Sequence, residues 1–232
     1  MKKYIGTKQV EAEPMNEYRA IESGFARPKE DDSEYLEGYH VVYPDGYNSW
    51  SPKDVFEEAY KAAETPLDRM KIELDELSDK MVKLSSFIGK EAFAGIDNDI
   101  KAMLLCQLDS MEEYARLLEI RFSRMSGRMA ELCDMPFNVA ISLLRSGFAI
   151  RRKGWNGKGL FVVKQIPAHI GSDVIPKMQS LPQSAKDLIL MKKGFVDYTS
   201  QCLIYNENTG RADSWVPSIS DVFAVDWELV TV

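Results

Sequence analysis

The sequence predicts an α+β protein in three parts: a small N-terminal strand-plus-helix module, a central antiparallel helical hairpin, and a C-terminal α+β domain with an antiparallel sheet. Two observations predict this division. Apolar residues recur at alternating steps of three and four only between residues 64 and 134. Short strand-like runs bounded by turn residues lie on both sides of that stretch. The expected domains are therefore 1–63, 64–134 and 135–232.

The N-terminal module has the residue pattern of a small sheet with one helix. The run Gly38–Tyr43 is rich in strand-forming residues, and a turn signal follows it. Ser51 is predicted to cap a helix over Val55–Ala63, with Pro52 at its first position. The aromatic residues here are predicted to pack in a small core, with a ligand platform as the alternative. They are Tyr39, Tyr43, Tyr47 and Trp50.

The central segment has the spacing of two helices that pack through a coiled-coil-like seam. Thr65 is a predicted N-cap, Pro66 fits the first helical position, and the interruption at Gly89–Asp99 predicts the turn. A hairpin of this size buries too little apolar surface to be stable alone, so it should pack on copies of itself or on its neighbours in the chain. Self-association is favoured. The seam consists of Leu67, Met70, Leu74, Leu77, Met81, Leu84 and Ile88, then Leu104, Leu108, Met111, Ala115, Leu118, Phe122, Met125 and Met129.

The C-terminal segment combines amphipathic helices with strand-like runs. Pro136–Ser146 is a predicted helix that Gly147 ends. Phe148–Arg152 and Leu160–Ile166 are predicted strands joined across Asn156-Gly157, which is the strongest short hairpin signal. The remaining predicted elements are a hairpin of Phe195–Tyr205 with Arg211–Trp215, a short helix over Pro217–Ala224 with Ser218 and Asp221 as a capping box, a closing strand Asp226–Val232, and a long binding loop or lid at Pro167–Asp187.

Composition and charge exclude several classes of partner. The net charge of −7 makes long nucleic acid a poor partner, although residues 135–232 carry 11 Lys and Arg against 8 Asp and Glu. No apolar run approaches the ~20 residues that cross a bilayer, and Met1–Gly6 lacks the apolar core of a signal peptide. Cys106, Cys133 and Cys202 share no metal-ligand spacing. We expect a cytoplasmic protein with free thiols, no metal, no cofactor and no membrane partner.

No group of residues has the spacing of a catalytic site. His40 and His169 lie far apart in the chain, and neither has a nucleophile motif beside it. The paired acids Asp31 and Asp32 belong to an acidic run, Lys29–Glu37, interpreted as a solvated loop. We expect no catalytic residue and no enzyme. An enzyme that degrades nucleotides and a phage structural or assembly protein stay open as alternatives.

One stretch, Arg151–Gly159, has the residue types that hold a nucleotide. It contains four cations, a tryptophan, an asparagine and three glycines. Arg and Lys pair with phosphate, the indole offers a stacking face, and glycine lets backbone amides approach an anion. The alternative is an ordinary basic hairpin with a half-buried tryptophan.

Residues 135–232 resemble the phage family of Thoeris anti-defence protein two. The resemblance rests on Phe137–Gly147, on Ala149–Lys158, and on Trp215–Asp221 with Asp226–Glu228. It implies a sponge that binds glycocyclic ADP-ribose signals without cleaving them, and some members also take cyclic dinucleotides. Trp227 is interpreted as a core residue.

The same resemblance implies a role for each matching residue. Trp155 and Asn156 would contact a base or ribose, and Arg152 and Lys158 would meet phosphates. The second motif would line the pocket through Trp215, Ser218 and Asp221. The long loop at Pro167–Asp187 and Ser220 depart from the family pattern, which puts the identity of the ligand in question more than the function.

Residues 67–125 resemble a second phage family, the helical anti-CBASS protein two. The pattern includes Asp68-Arg69-Met70, Lys80, Lys83-Leu84, Leu104-Leu105, Tyr114 and Arg121. The resemblance implies a homo-oligomer, with six copies favoured, that traps cyclic dinucleotides and trinucleotides between subunits. Lys80, Lys83 and Arg121 would be its phosphate partners and Tyr114 its stacking face, with solvated helix charges and a core tyrosine as the alternative. The two resemblances together imply a phage sponge that acts in the cytoplasm of an infected bacterial host.

Overall fold

The computed structural model describes residues 8–29 and 33–231. It has the α+β fold with antiparallel sheets that the sequence predicts. The chain divides into two compact units, Met1–Arg128 and Met129–Val232. The predictions for Met1–Gly6 and for the pair Asp31-Asp32 fall outside the described residues.

The first unit begins with a three-stranded antiparallel sheet in the order β1-β2-β3. Its strands are β1 (Glu11–Pro14), β2 (Gly38–Val42) and β3 (Asn48–Pro52). Two short helices, α1 (Glu17–Glu22) and α2 (Lys53–Ala59), contact it. The prediction of a strand after Gly38 is confirmed, while β1, α1 and β3 were not predicted.

The predicted cap at Ser51 is wrong. Ser51 pairs with Tyr39 inside β3, so the strand runs on through Pro52 and α2 begins directly at Lys53. Pro52 occupies the cap position and offers no side-chain hydrogen bond there. The neighbouring ring of Tyr39 stacks on Phe56 with ring centres 4.4 Å apart.

The helical hairpin consists of α3 (Pro66–Ile88), the single turn α4 (Glu91–Ala94) and α5 (Asn98–Met125). Thr65 caps α3 as predicted, because its hydroxyl accepts from the backbone N–H of Asp68 while the Asp68 carboxylate accepts from the backbone N–H of Thr65.

The predicted seam faces inward over most of its length but not at its end. Met70, Ala115 and Leu118 are buried, and the seam residues on either side of them as far as Phe122 are partly buried. Met125 is half exposed and Met129 is 96% exposed. The helix ends at Met125 because the chain turns at Gly127, whose φ of 77° is left-handed.

The second unit contains α6 (Phe137–Arg145) and a five-stranded antiparallel sheet. The predicted Gly147 follows the C-cap of α6 and has a left-handed φ of 87°. In chain order the elements that follow are β4 (Ile150–Arg152), β5 (Leu160–Lys164), β6 (Ala168–Ile170), a 3-10 helix (Ile175–Lys177), α7 (Gln183–Lys192), β7 (Val196–Tyr198), β8 (Cys202–Asn206), β9 (Arg211–Trp215), α8 (Ile219–Val222) and β10 (Trp227–Leu229). The large sheet has the order β10-β4-β5-β8-β9, and β6 pairs with β7 in a separate sheet.

One face of the large sheet carries the core of this unit. Ile150 and Val162 are fully buried there beside Leu144 of α6 and Trp227 of β10. The segment before α6 covers the outer edge of β10, because Met135 and Trp227 exchange backbone hydrogen bonds and Leu132 accepts from Leu229.

Two predictions for this unit are wrong. Phe195–Tyr205 is not one strand: it is divided into β7, which pairs with β6, and β8, which joins the large sheet. Pro167–Asp187 is not a loop throughout, since it contains β6, the 3-10 helix and the first turn of α7. Within the described residues no helix is both long and apolar enough to cross a membrane.

Candidate functional site

The buried carboxylate of Asp221 joins three of the residues predicted for the C-terminal site. The indole Nε1 of Trp155 donates to its Oδ1 at 3.0 Å, and Nη1 of Arg152 donates to the same oxygen at 2.9 Å. The backbone N–H and the hydroxyl of Ser218 donate to Oδ2 at 2.9 and 2.7 Å. Residues from the β4–β5 loop and from the start of α8 therefore meet at a single side chain.

These hydrogen bonds decide the ionisation of Asp221. Burial of the carboxyl group raises its pKa, but the bonds from Ser218, Trp155 and Arg152 together outweigh burial and lower the pKa to about 2. Asp226 behaves similarly. Burial raises its pKa, but the hydrogen bonds from Arg152 and from the backbone N–H of Gly154 outweigh burial and lower the pKa below its ordinary value. Both groups are carboxylates at neutral pH.

Three tryptophans pack edge to face beside this network. The ring centres of Trp155 and Trp215 lie 6.4 Å apart, and that of Trp227 lies 5.4 Å from Trp155 and 6.1 Å from Trp215. Trp227 is fully buried, and its indole N–H donates to the backbone oxygen of Asp221 at 3.0 Å, which confirms its core position. Trp155 and Trp215 are partly exposed, so a ligand can reach their rings.

The loop between β4 and β5 presents the remaining predicted residues to solvent. Asn156 and Lys158 are exposed. The side-chain amide of Asn208 donates to the backbone oxygen of Lys158 at 2.7 Å and so holds the loop at its far end. The β4–β5 hairpin is confirmed, although its register pairs Ile150 with Val162 and its loop is longer than a two-residue turn.

Three cations of the basic stretch already have carboxylate partners. Arg152 contacts Asp226 at 2.7 Å and Asp221 at 2.9 Å. The hydrogen bond to Asp226, ahead of the one to Asp221, raises the pKa of Arg152 although burial lowers it. The other pairs are Arg151 with Glu228, and Lys153 with Asp134. Lys158 has no carboxylate partner in the described part of the chain.

Sequence reasoning did not predict Asp226 as part of this arrangement. Its Oδ1 accepts from Arg152, and its Oδ2 accepts from the backbone N–H of Gly154 at 2.7 Å. A Cβ on Gly154 would lie 2.6 Å from that carboxylate oxygen, so glycine is needed for this approach. The sequence did point to Asp226 through the motif Asp226–Glu228, but gave it no role. Among the described residues no cluster of His, Cys, Asp or Glu is arranged to hold a metal.

Residues 135–230 match the family model of the Thoeris anti-defense 2-like domain. The resemblance of the C-terminal segment is confirmed. A relative in Bacillus phage SP01, Thoeris anti-defense 2, is 28% identical over 102 residues, which cover 42% of this chain and 96% of the phage protein. The network of Trp155, Arg152 and Asp221 thus lies within the residues that match this family model.

Residues 64–124 match a second family model, Sequestin, over the helical hairpin. The second resemblance is confirmed as well. Because one family is an anti-defence family by name and the other is named for sequestration, the two matches support a phage anti-defence role.

One copy of the hairpin does not bring the predicted Sequestin-segment residues together. The hydroxyl of Tyr114 on α5 donates to Glu73 on α3, which fixes the alignment of the helices and raises the pKa of Tyr114. Lys80 lies seven residues beyond Glu73 toward the turn, and Arg121 lies seven residues beyond Tyr114 in the opposite direction. At 1.5 Å per residue they are about 20 Å apart along the helices, and Lys83 is farther still.

Proposed function

We propose that this chain is a non-enzymatic phage protein that binds cyclic nucleotide immune signals and holds them away from a host defence system. The Thoeris anti-defense 2-like domain takes glycocyclic ADP-ribose, and the helical hairpin takes cyclic dinucleotides and trinucleotides. The protein acts as a homo-oligomer, with six copies favoured, in the cytoplasm of the infected bacterial host. The observation that carries the proposal is the meeting of Trp155, Arg152 and Ser218 at Asp221 in the matched domain.

The geometry of Trp155 suits the stacking of a base. Its indole N–H is held by Asp221, and its ring edge packs on Trp215, so little rotamer freedom is lost on binding. Stacking of a base on such a ring contributes about 1–3 kcal/mol. Asn156 and Lys158 are exposed on the same loop, where an amide and a cation can meet a base edge or a phosphate.

The charge state of the site favours binding without cleavage. A general base works best when its pKa lies near the operating pH. Asp221 has a pKa of about 2 and all its acceptor positions face donors, and the pKa of Asp226 is also lowered. Neither carboxylate is therefore suited to take a proton from water at neutral pH.

For the hairpin, we propose a site between copies. Lys80 and Arg121 are too distant in one chain to hold the same small ligand, but two copies packed head to tail would bring them together. Exposed apolar side chains near the turn give the copies a surface on which to pack. These are Val82, Ile100, Met103 and Leu105, which are 42–69% exposed.

One experiment tests the proposal against both alternatives. The protein is incubated with glycocyclic ADP-ribose, filtered, denatured by heat, and the released nucleotide is analysed by chromatography and mass spectrometry. Depletion before heating and intact recovery afterwards is the expected result. Altered nucleotide would indicate an enzyme, and no depletion would indicate a structural or assembly protein.

A further inference from the structure

The basic loop does not hold enough free cations for a ligand with two phosphates. Arg151, Arg152 and Lys153 each face a carboxylate, and a phosphate at Arg152 would be repelled by Asp221 and Asp226. Lys158 contributes one exposed charge. A second cation should therefore lie near the tryptophans but outside the loop that the motif marks.

The strand register identifies such a cation. Lys164 at the end of β5 pairs with Cys202 on β8, and Cys202 pairs with Trp215 on β9. Directly opposed residues of antiparallel strands place their side chains on the same face, with Cβ atoms about 5 Å apart. Lys164, Cys202 and Trp215 thus form a row across three strands, on the face that carries the buried Val162.

The row has the chemistry of a nucleotide site. Trp215 is partly exposed and packs against Trp155, and Lys164 is exposed and has no carboxylate partner in the part of the chain that the structure describes. Burial raises the pKa of the Cys202 thiol, and the positive charge of Lys164 lowers it by a smaller amount. The neighbouring carboxylate, Asp213, is held by Arg211 at 2.7 Å.

We infer that Lys164 binds a phosphate of the nucleotide whose base stacks at Trp155 and Trp215, an inference that rests on the proposed function. The ligand class is a nucleotide with a diphosphate or with two separate phosphates. Its phosphate lies at the exposed side of Cys202, between the ring of Trp215 and the ammonium group of Lys164.

Calorimetry with glycocyclic ADP-ribose and the full chain tests the inference. Lys164→Gln should weaken binding about tenfold, as expected for the loss of one charge-assisted hydrogen bond. Lys164→Arg should retain binding within a few-fold. The matched control is Lys192→Gln, which removes the same charge from α7 and should bind as the wild type does.

A second readout uses the native protein. Saturating nucleotide should slow alkylation of Cys202 by iodoacetamide, while Cys106, exposed on α5, reacts at an unchanged rate. If the wild type binds the nucleotide but Lys164→Gln binds it as tightly as Lys192→Gln does, the inference is overturned and the proposed function is retained. The same holds if Cys202 is alkylated equally fast with and without the nucleotide. If the wild type does not bind the nucleotide, the proposed function fails and the inference fails with it.

Discussion

Asparagine in place of Asp221 tests whether this carboxylate organises the C-terminal site. Four donors converge on its two oxygens: Trp155 and Arg152 on Oδ1, and the N–H and hydroxyl of Ser218 on Oδ2. Asparagine keeps the shape but has one acceptor oxygen and one donating NH₂ group. In either orientation of the amide, one pair of these donors faces the NH₂ group instead of an acceptor.

The size of the effect follows from burial and ionisation. The side chain of Asp221 is 9% exposed, so solvent does little to compensate. A pKa of about 2 instead of 3.8 corresponds to about 2 kcal/mol of stability, at 1.36 kcal/mol for each pKa step of one. Donors left without an acceptor add a further cost of about 1–3 kcal/mol. We therefore expect Asp221→Asn to lower the free energy of unfolding of this domain by about 3–5 kcal/mol.

The assay is urea unfolding followed by tryptophan fluorescence, because Trp155, Trp215 and Trp227 all lie in the affected domain. The matched control is Asp213→Asn, which removes an equal charge from a surface pair with Arg211 and should leave the transition unchanged. If the urea unfolding transitions of the two variants have equal midpoints and equal slopes, the reasoning is refuted and Asp221 is only a helix cap.

Acid should destabilise the wild-type protein as the substitution Asp221→Asn does. The lowered pKa means that the stability contributed by Asp221 is complete above about pH 5 and is lost as the pH falls toward 2. The unfolding free energy of Asp221→Asn should therefore fall less over that range, and parallel curves would contradict this. Trp155→Ala should weaken glycocyclic ADP-ribose binding by about 1–3 kcal/mol in calorimetry while the fold persists, and unchanged affinity would return Trp155 to a structural role. Light scattering should give a mass well above the 26.4 kDa of one chain, and a single-chain mass over a wide concentration range would exclude the homo-oligomer. Charge reversal at Lys83 or Arg121 should weaken cyclic dinucleotide or trinucleotide binding and spare glycocyclic ADP-ribose, whereas stoichiometric competition between the ligands would mean one shared pocket.

The helices α3, α5, α6 and α8 were predictable because their signals are local. The Ser218-Asp221 capping box spans only four residues and forms as predicted, and Thr65 caps α3 as predicted. By contrast, β1 is exposed at every position and contains no β-branched or aromatic residue, so its composition does not mark Glu11–Pro14 as a strand. The division of Phe195–Tyr205 depends on which strand each half pairs with, and composition does not reveal pairing.

The ion pairs of the basic stretch could not be predicted from the sequence, for a related reason. Its cations appear free when only their neighbours in the chain are considered. The carboxylate partners of Arg151 and Arg152 lie far along the chain: Glu228 is in β10, Asp226 directly precedes it, and Asp221 is in α8. The antiparallel register of β10 with β4 brings them alongside. Lys164 was not predicted as a site residue because it belongs to no motif. Only two successive strand pairings bring it near the tryptophans.

The Ser218-Asp221 spacing predicted a helix cap, and the family resemblance implied a ligand contact for the same residues. The two oxygens of Asp221 have different partners, so one side chain can act in both roles. Oδ2 of Asp221 closes the cap of α8, a helix too short to be stable without it, while Oδ1 holds Trp155 and Arg152. Damage to Asp221 will therefore reduce ligand binding whether or not the carboxylate touches the ligand. Trp155→Phe separates the two roles, because it retains an aromatic face but removes the N–H that Asp221 accepts. If Asp221 acts by positioning the indole, the phenylalanine protein will keep its cap and lose affinity.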